Sequence, residues 1–214
     1  MVQDPLVDGL DTALKAFDEL RAQVSTEQWV AATPCAAWTV RDPVSHLVTG
    51  NLLSADAVGG QRPAATEDSS WVETTADGEL PAAYRATVRP LLHAFSSPGA
   101  LQQMVSVPFG TFPGVVVLHL RTTELIVHGW DLCQATGQRV AFPDELVEQE
   151  LSFTEGALGN VPPDRSPFGR PSRSPRAPGR STGSPRCSGG VHRGGRRPPP
   201  PAAVTARPDS ARSG

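Results

Sequence analysis

Cysteine is scarce in this 214-residue chain. Cys35, Cys133 and Cys187 are odd in number, lie far apart and form no CxxC pair, which excludes a disulfide framework and a cysteine-rich zinc site. Long apolar runs are missing too. Pro90 to Leu120 contains no Asp, Glu, Lys or Arg, but Ser, Gln, Gly and Pro interrupt it too often for a membrane span of roughly 20 apolar residues. The start, MVQDPLVDGLD, is acidic and lacks an apolar h-region, so no secretory signal is expected and the protein reads as soluble and cytoplasmic. The last 50 residues have no Leu, Ile, Met, Trp or Tyr, and hold 11 Arg, 10 Pro, 8 Gly and 8 Ser. Such a segment cannot bury enough apolar surface to offset the entropy of ordering it, and disorder is expected there.

Charge divides the chain at the same place. Residues 1–164 carry 8 Lys+Arg against 21 Asp+Glu, a formal −13, whereas residues 165–214 carry 11 Arg against Asp209 alone, a formal +10. We therefore expect a folded domain over 1–164 and a disordered Arg/Pro/Gly/Ser-rich tail over 165–214.

What is present in the first part is helical periodicity. Asp4-Pro5 opens a helix in which Leu6, Leu10, Ala13, Leu14, Phe17, Leu20 and Val24 share one face, over about 5–24. A loop with Trp29 leads to Thr39 and Asp42, spaced as a capping box, and a second helix follows over Val40–Val58, stopped by Gly59-Gly60. Pro43 falls in its first turn and costs one backbone bond or shifts the start. Gln61 to Gly78 is polar and reads as a long surface loop. A third helix spans Leu80–Phe95, interrupted or kinked at Pro90; Met104–Val107 is a short strand or extended run. The longest helix runs from Val115 to about Thr136 with Gly137 as a left-handed stop, and a fifth follows Pro143-Asp144-Glu145 to about Leu158. Four or five helices with little strand signal indicate an all-α bundle.

The long fourth helix contains TTELIVHGWDL, in which Glu124 and His128 are four apart and so lie on one face. Taken alone the pair is an ordinary surface contact worth roughly 0.2–0.5 kcal/mol. Apolar neighbours Leu120, Val127 and Leu132 indicate a largely buried face, and a carboxylate beside a histidine in such a setting needs a partner, of which a metal ion is one. His46, set among Val44, Leu47 and Val48 on the second helix, points at least partly inward, where a satisfied core histidine is its ordinary reading. Asp131, three residues beyond His128, suits an outer carboxylate on a ligand histidine, or a surface acid near the helix end. Trp38 and Trp130 read as core residues, Cys35 and Cys133 as small buried hydrophobes, and His93 and His119 have no partner at ligand spacing.

The pieces TPCAAWTVRDPVSHLVTGN and ELIVHGWDLCQATGQ, about 80 residues apart, resemble the metal-binding domain of mycothiol-dependent maleylpyruvate isomerases, and more closely the shorter actinobacterial proteins related to it within the DinB-like superfamily. An actinobacterial source also fits the single Lys15 against 18 Arg, since Arg codons of the CGN type belong to GC-rich genomes. The resemblance covers about residues 5–168. It implies a DinB-like four-helix bundle with one divalent metal, usually zinc, held by His46, Glu124 and His128, and mycothiol as the thiol cofactor. Pro43 departs from the family pattern three residues before His46. So does the C-terminal segment, whose composition is what a GC-rich gene yields in a shifted frame; a genuine basic tail is the alternative.

Two histidines and one carboxylate leave a coordination position open on a tetrahedral ion, which characterises catalytic rather than structural zinc. The expected partners are thus a small-molecule thiol and an electrophilic substrate, with isomerase or S-transferase chemistry, no specific nucleic acid and no membrane. A non-catalytic metal-binding protein is the first competitor. A polyanion binder acting through the Arg-rich tail is the second, weakened by the lack of aromatic residues interleaved with the arginines.

Overall fold

The structure is a computed structural model that describes residues 4–35, 37–61, 75–108, 110–139 and 142–158. The expected loop between 61 and 78 falls mostly outside these residues, and the expected tail over 165–214 falls wholly outside them, as do Trp71 and Cys187.

Five α-helices, one short 3₁₀ helix and one β-hairpin are the regular elements of the described part. Helix α1 is Pro5–Ala22, α2 is Arg41–Val58 and α3 is Leu80–Phe95. Strands β1, Met104–Val107, and β2, Gly110–Pro113, come next, followed by α4, Gly114–Thr136, and α5, Asp144–Leu158. Among the described residues no helix is long and apolar enough to cross a membrane.

The helix ends follow from capping chemistry. Asp4 Oδ1 accepts from the Leu6 N–H at 2.9 Å, and Pro5 stands where its missing N–H costs nothing. Half of the expected capping box forms at α2: Asp42 Oδ2 accepts from the Thr39 N–H at 2.6 Å, but the Thr39 hydroxyl donates to that same carboxylate instead of capping a backbone N–H. Pro43 is absorbed in this first turn, where the N–H groups have no intrahelical acceptor, and α2 is not broken. Pro90 likewise lies within a continuous α3, on its exposed side. At the far end of α4, Gly137 takes the left-handed conformation, φ 74°, and its N–H reaches the Cys133 carbonyl at 2.9 Å.

Helices α1 to α4 pack as a square in which α1 and α2 each contact α3 and α4, while α5 lies chiefly against α4, with Leu146 beside Gly9 of α1. Leu10, Leu14 and Phe17 of α1, Val44 and Leu47 of α2, Leu80 and Leu91 of α3, and Leu118, Leu125 and Leu132 of α4 are fully buried in the common core. Each such side chain contributes about 1.5–3 kcal/mol of transfer free energy. A polar cross-link inside this core, Asn51 Nδ2 donating to Thr87 Oγ1 at 2.9 Å, fixes α2 against α3.

The hairpin pairs antiparallel, with Val105 opposite Phe112. One of its strands is the extended run expected at 104–107; the other was not expected, because Gly110-Thr111-Phe112-Pro113 carries no alternation and ends in proline. Residues Thr26–Val30, expected as loop, form a short 3₁₀ helix that buries Trp29.

Candidate metal centre

Helices α2 and α4, neighbours in the square, bring together the three expected donors. His46 Nε2 is 3.4 Å from Glu124 Oε2. The rings of His46 and His128 meet edge to face, with centroids 5.1 Å apart. Among the described residues no three His, Cys, Asp or Glu side chains close on one point as coordinating ligands do, so the three form an open cluster.

His46 points only partly inward, as expected: its side chain is 42% exposed on the rim of the bundle and packs against Glu124 and His128, while its neighbours Val44, Leu47 and Val48 fill the core. Glu124 is half-buried, and Val127, expected inside, is exposed. His128 is the most enclosed of the three, and its Nδ1–H donates to Asp131 Oδ2 at 3.0 Å. That bond fixes the tautomer and leaves the Nε2 lone pair for another ligand, the part an outer carboxylate plays on a metal-binding imidazole.

Electrostatics favour the donor state of Glu124 and His128. Burial alone would raise the Glu124 carboxyl, but Arg121 beside it, with His46 and His128, outweighs burial and holds it at about 2. Glu124 is therefore an anion at any physiological pH. Burial lowers the His128 imidazole, against the opposing pull of Asp131, so its neutral, lone-pair-bearing form is favoured. Glu124 Oε2 is out of solvent and makes no well-aligned hydrogen bond, although Arg121 Nη1 stands 2.7 Å from it. A buried carboxylate oxygen left in this condition, beside two imidazoles, fits a cation.

Two neighbours of the cluster were missed in the sequence. Trp38 was expected in the core; its ring instead stacks on His128, at 5.3 Å and 28°, and tilts against His46 at 5.5 Å. Trp130, also expected inside, is 47% exposed. Arg121 is buried next to Glu124, and the spacing of three residues between them on one helix was the available signal. His119, which has no partner at ligand spacing, is buried between α4 and α5, where its ring lies 2.9 Å from the distant Glu150 Oε1 and stacks on Phe153 at 4.1 Å. His93 is exposed on α3. Cys133 is buried and Cys35 partly so, and burial raises both thiols, which suits packing rather than nucleophilic roles.

Comparison with known proteins places the chain in a family. Residues 10–133 match the family described as the mycothiol maleylpyruvate isomerase N-terminal domain. Two uncharacterized proteins of Mycobacterium tuberculosis, from strains CDC 1551 / Oshkosh and H37Rv, are each 34% identical over 157 residues, which is 73% of this chain and 80% of theirs. Crystal structures of the mycothiol-dependent maleylpyruvate isomerase and of a mutant of it superpose with TM-scores of 0.53 and 0.54, at 18% and 19% identity, over 71% of each chain. At that identity the likeness is one of fold, and the fold is the DinB-like helical bundle.

Proposed function

The chain belongs to the mycothiol maleylpyruvate isomerase N-terminal domain family, and from that membership we propose that it binds a divalent metal, of the zinc class, through His46, Glu124 and His128, and activates mycothiol for isomerase or S-transferase chemistry on a small electrophile. The observation that carries the proposal is the gathering of an ionised carboxylate and two imidazoles from α2 and α4, with Asp131 already holding the second nitrogen of His128.

When bound, such an ion supplies Lewis acidity that lowers the pKa of a thiol in its open position. The chain supplies the rest. Glu124 provides the negative charge, kept ionised by Arg121. His128 is oriented through Nδ1 by Asp131 and keeps no proton on the nitrogen that faces a ligand. His46, at the exposed rim, stands where a thiol or an electrophile arrives from solvent, and Trp38 covers the two imidazoles with an apolar ring.

His128→Ala tests this reading. Stoichiometric zinc and any mycothiol-dependent turnover of an electrophile panel are expected to vanish. The variant should lose about 1–3 kcal/mol, which is about 2–12 °C in Tm for a chain of this size, because Asp131 is left without its imidazole partner, and it should stay folded, because the bundle core does not depend on the ion. Zinc bound by the wild type without turnover would favour a non-catalytic metal-binding protein. Equal zinc content in wild type and variant would remove His128 from the site, and collapse of the bundle on chelation would make the metal structural.

A further inference from the structure

Arg121 carries a permanent charge into the fold and pairs it there with Glu124. It is 5% exposed, its Nη1 lies 2.7 Å from Glu124 Oε2, and its Nε and Nη2 are out of solvent without a hydrogen-bond partner. The space it fills is left open by Gly50 on α2, where a Cβ would stand 1.8 Å from Nη1. Beside it a cavity of about 130 Å³ opens between α2, the hairpin and α4, with Leu53, Val107, Val117 and Leu120 in its wall.

One carboxylate cannot neutralise two cations. With no metal bound, the Glu124 charge balances Arg121; once it serves a divalent ion, the guanidinium is left buried without a counter-ion, an arrangement that costs several kcal/mol in a protein interior. We propose that Arg121 and Glu124 form an exchangeable pair: a divalent cation takes Glu124, and the guanidinium so released binds a small carboxylate in the adjoining cavity. Cation and carboxylate then bind cooperatively. The inference rests on the metal reading above and adds the charge class of the second ligand.

The chemistry of the cavity selects a carboxylate on a short apolar stem. Guanidinium donors match the planar geometry of a carboxylate, and once Glu124 is given up none of the Arg121 nitrogens named above keeps a partner. The apolar wall accepts the stem. Its volume of about 130 Å³ is roughly the share of four waters in the liquid, room for a group of a few heavy atoms.

Calorimetry on the full chain stripped of metal provides the test, with zinc titrated in the presence and absence of saturating crotonate, and crotonate titrated with and without zinc. Each ligand is expected to tighten the other by the same factor, about 5- to 150-fold, because linkage is reciprocal. Crotonamide, of the same shape without the charge, should have no effect. Arg121→Gln, which removes the cation competing for Glu124, should shift the baseline zinc affinity and leave it insensitive to crotonate. Gly50→Ala, which keeps the arginine but displaces its guanidinium, should weaken the coupling as well. Failure to bind zinc at all would sink the metal reading and this inference with it. Zinc binding indifferent to crotonate would overturn the exchange alone and leave the metal reading standing. Coupling that survives in Arg121→Gln would put the carboxylate on the ion instead, and sulfate acting where crotonate does not would overturn the carboxylate class.

Discussion

Ala37 holds a left-handed backbone, φ 69°, one residue before the ring that covers both histidines. For an L residue with a Cβ that conformation costs roughly 1–2 kcal/mol. The turn is held from both sides, by Trp38 N–H donating to the Cys35 carbonyl at 3.0 Å and by Thr33 N–H donating to the Trp38 carbonyl at 2.9 Å. Ala37→Gly should therefore raise stability, by about 1 kcal/mol or less once the extra freedom of glycine in the unfolded chain is counted, and Ala37→Val should lower it. Urea midpoints of the two variants check the sign, and a loss of stability in Ala37→Gly would show that the turn carries no strain. This turn also explains what the sequence hid. Glu124, His128 and Asp131 were legible because helical spacing alone puts them on one face, whereas Trp38 reaches its partners only through a backbone kink that no periodicity announces. The pair of His119 and Glu150 was hidden for a similar reason, since its members sit on different helices and only the docking of α5 on α4 joins them.

At the scale of the element, α4 is the part on which the site depends most, for it carries Arg121, Glu124, His128 and Asp131 together. Its start is fixed by main chain. Gly114 N–H donates to the Gln103 carbonyl at 2.9 Å and Val115 N–H to the Leu101 carbonyl at 2.8 Å, so the segment between α3 and β1 caps the helix without a side chain. A Cβ at Gly114 would stand 1.9 Å from the Ala100 carbonyl oxygen, which belongs to backbone and cannot turn aside. Gly114→Ala should cost about 3 kcal/mol by overpacking, or about 6–12 °C in Tm, and weaken zinc binding by shifting the start of α4. An unchanged melting curve would show that the segment yields freely. The helices themselves were legible to within a residue or two because their caps and apolar faces agreed; β2 was not, since its pairing with β1 is a contact rather than a pattern.

For the molecule as a whole, the square of α1 to α4 is set by apolar faces present in the sequence, but which helices would be neighbours was not, and that adjacency creates the site. His46 and Glu124 are about 80 residues apart in the chain, and they meet only after α2 has packed against α4. The separation has a kinetic consequence. A ligand that needs both helices in place finds no binding partner in the unfolded chain and little in a barrier state where distant helices are still settling. Zinc at 100 times its Kd should then slow unfolding by about 100-fold, the full 2.7 kcal/mol of linkage, and leave the refolding rate where it was. Stopped-flow traces with and without the metal distinguish this from a site assembled early, for which refolding itself would accelerate. A clasp that closes last makes the loaded bundle slow to open without making it any quicker to form.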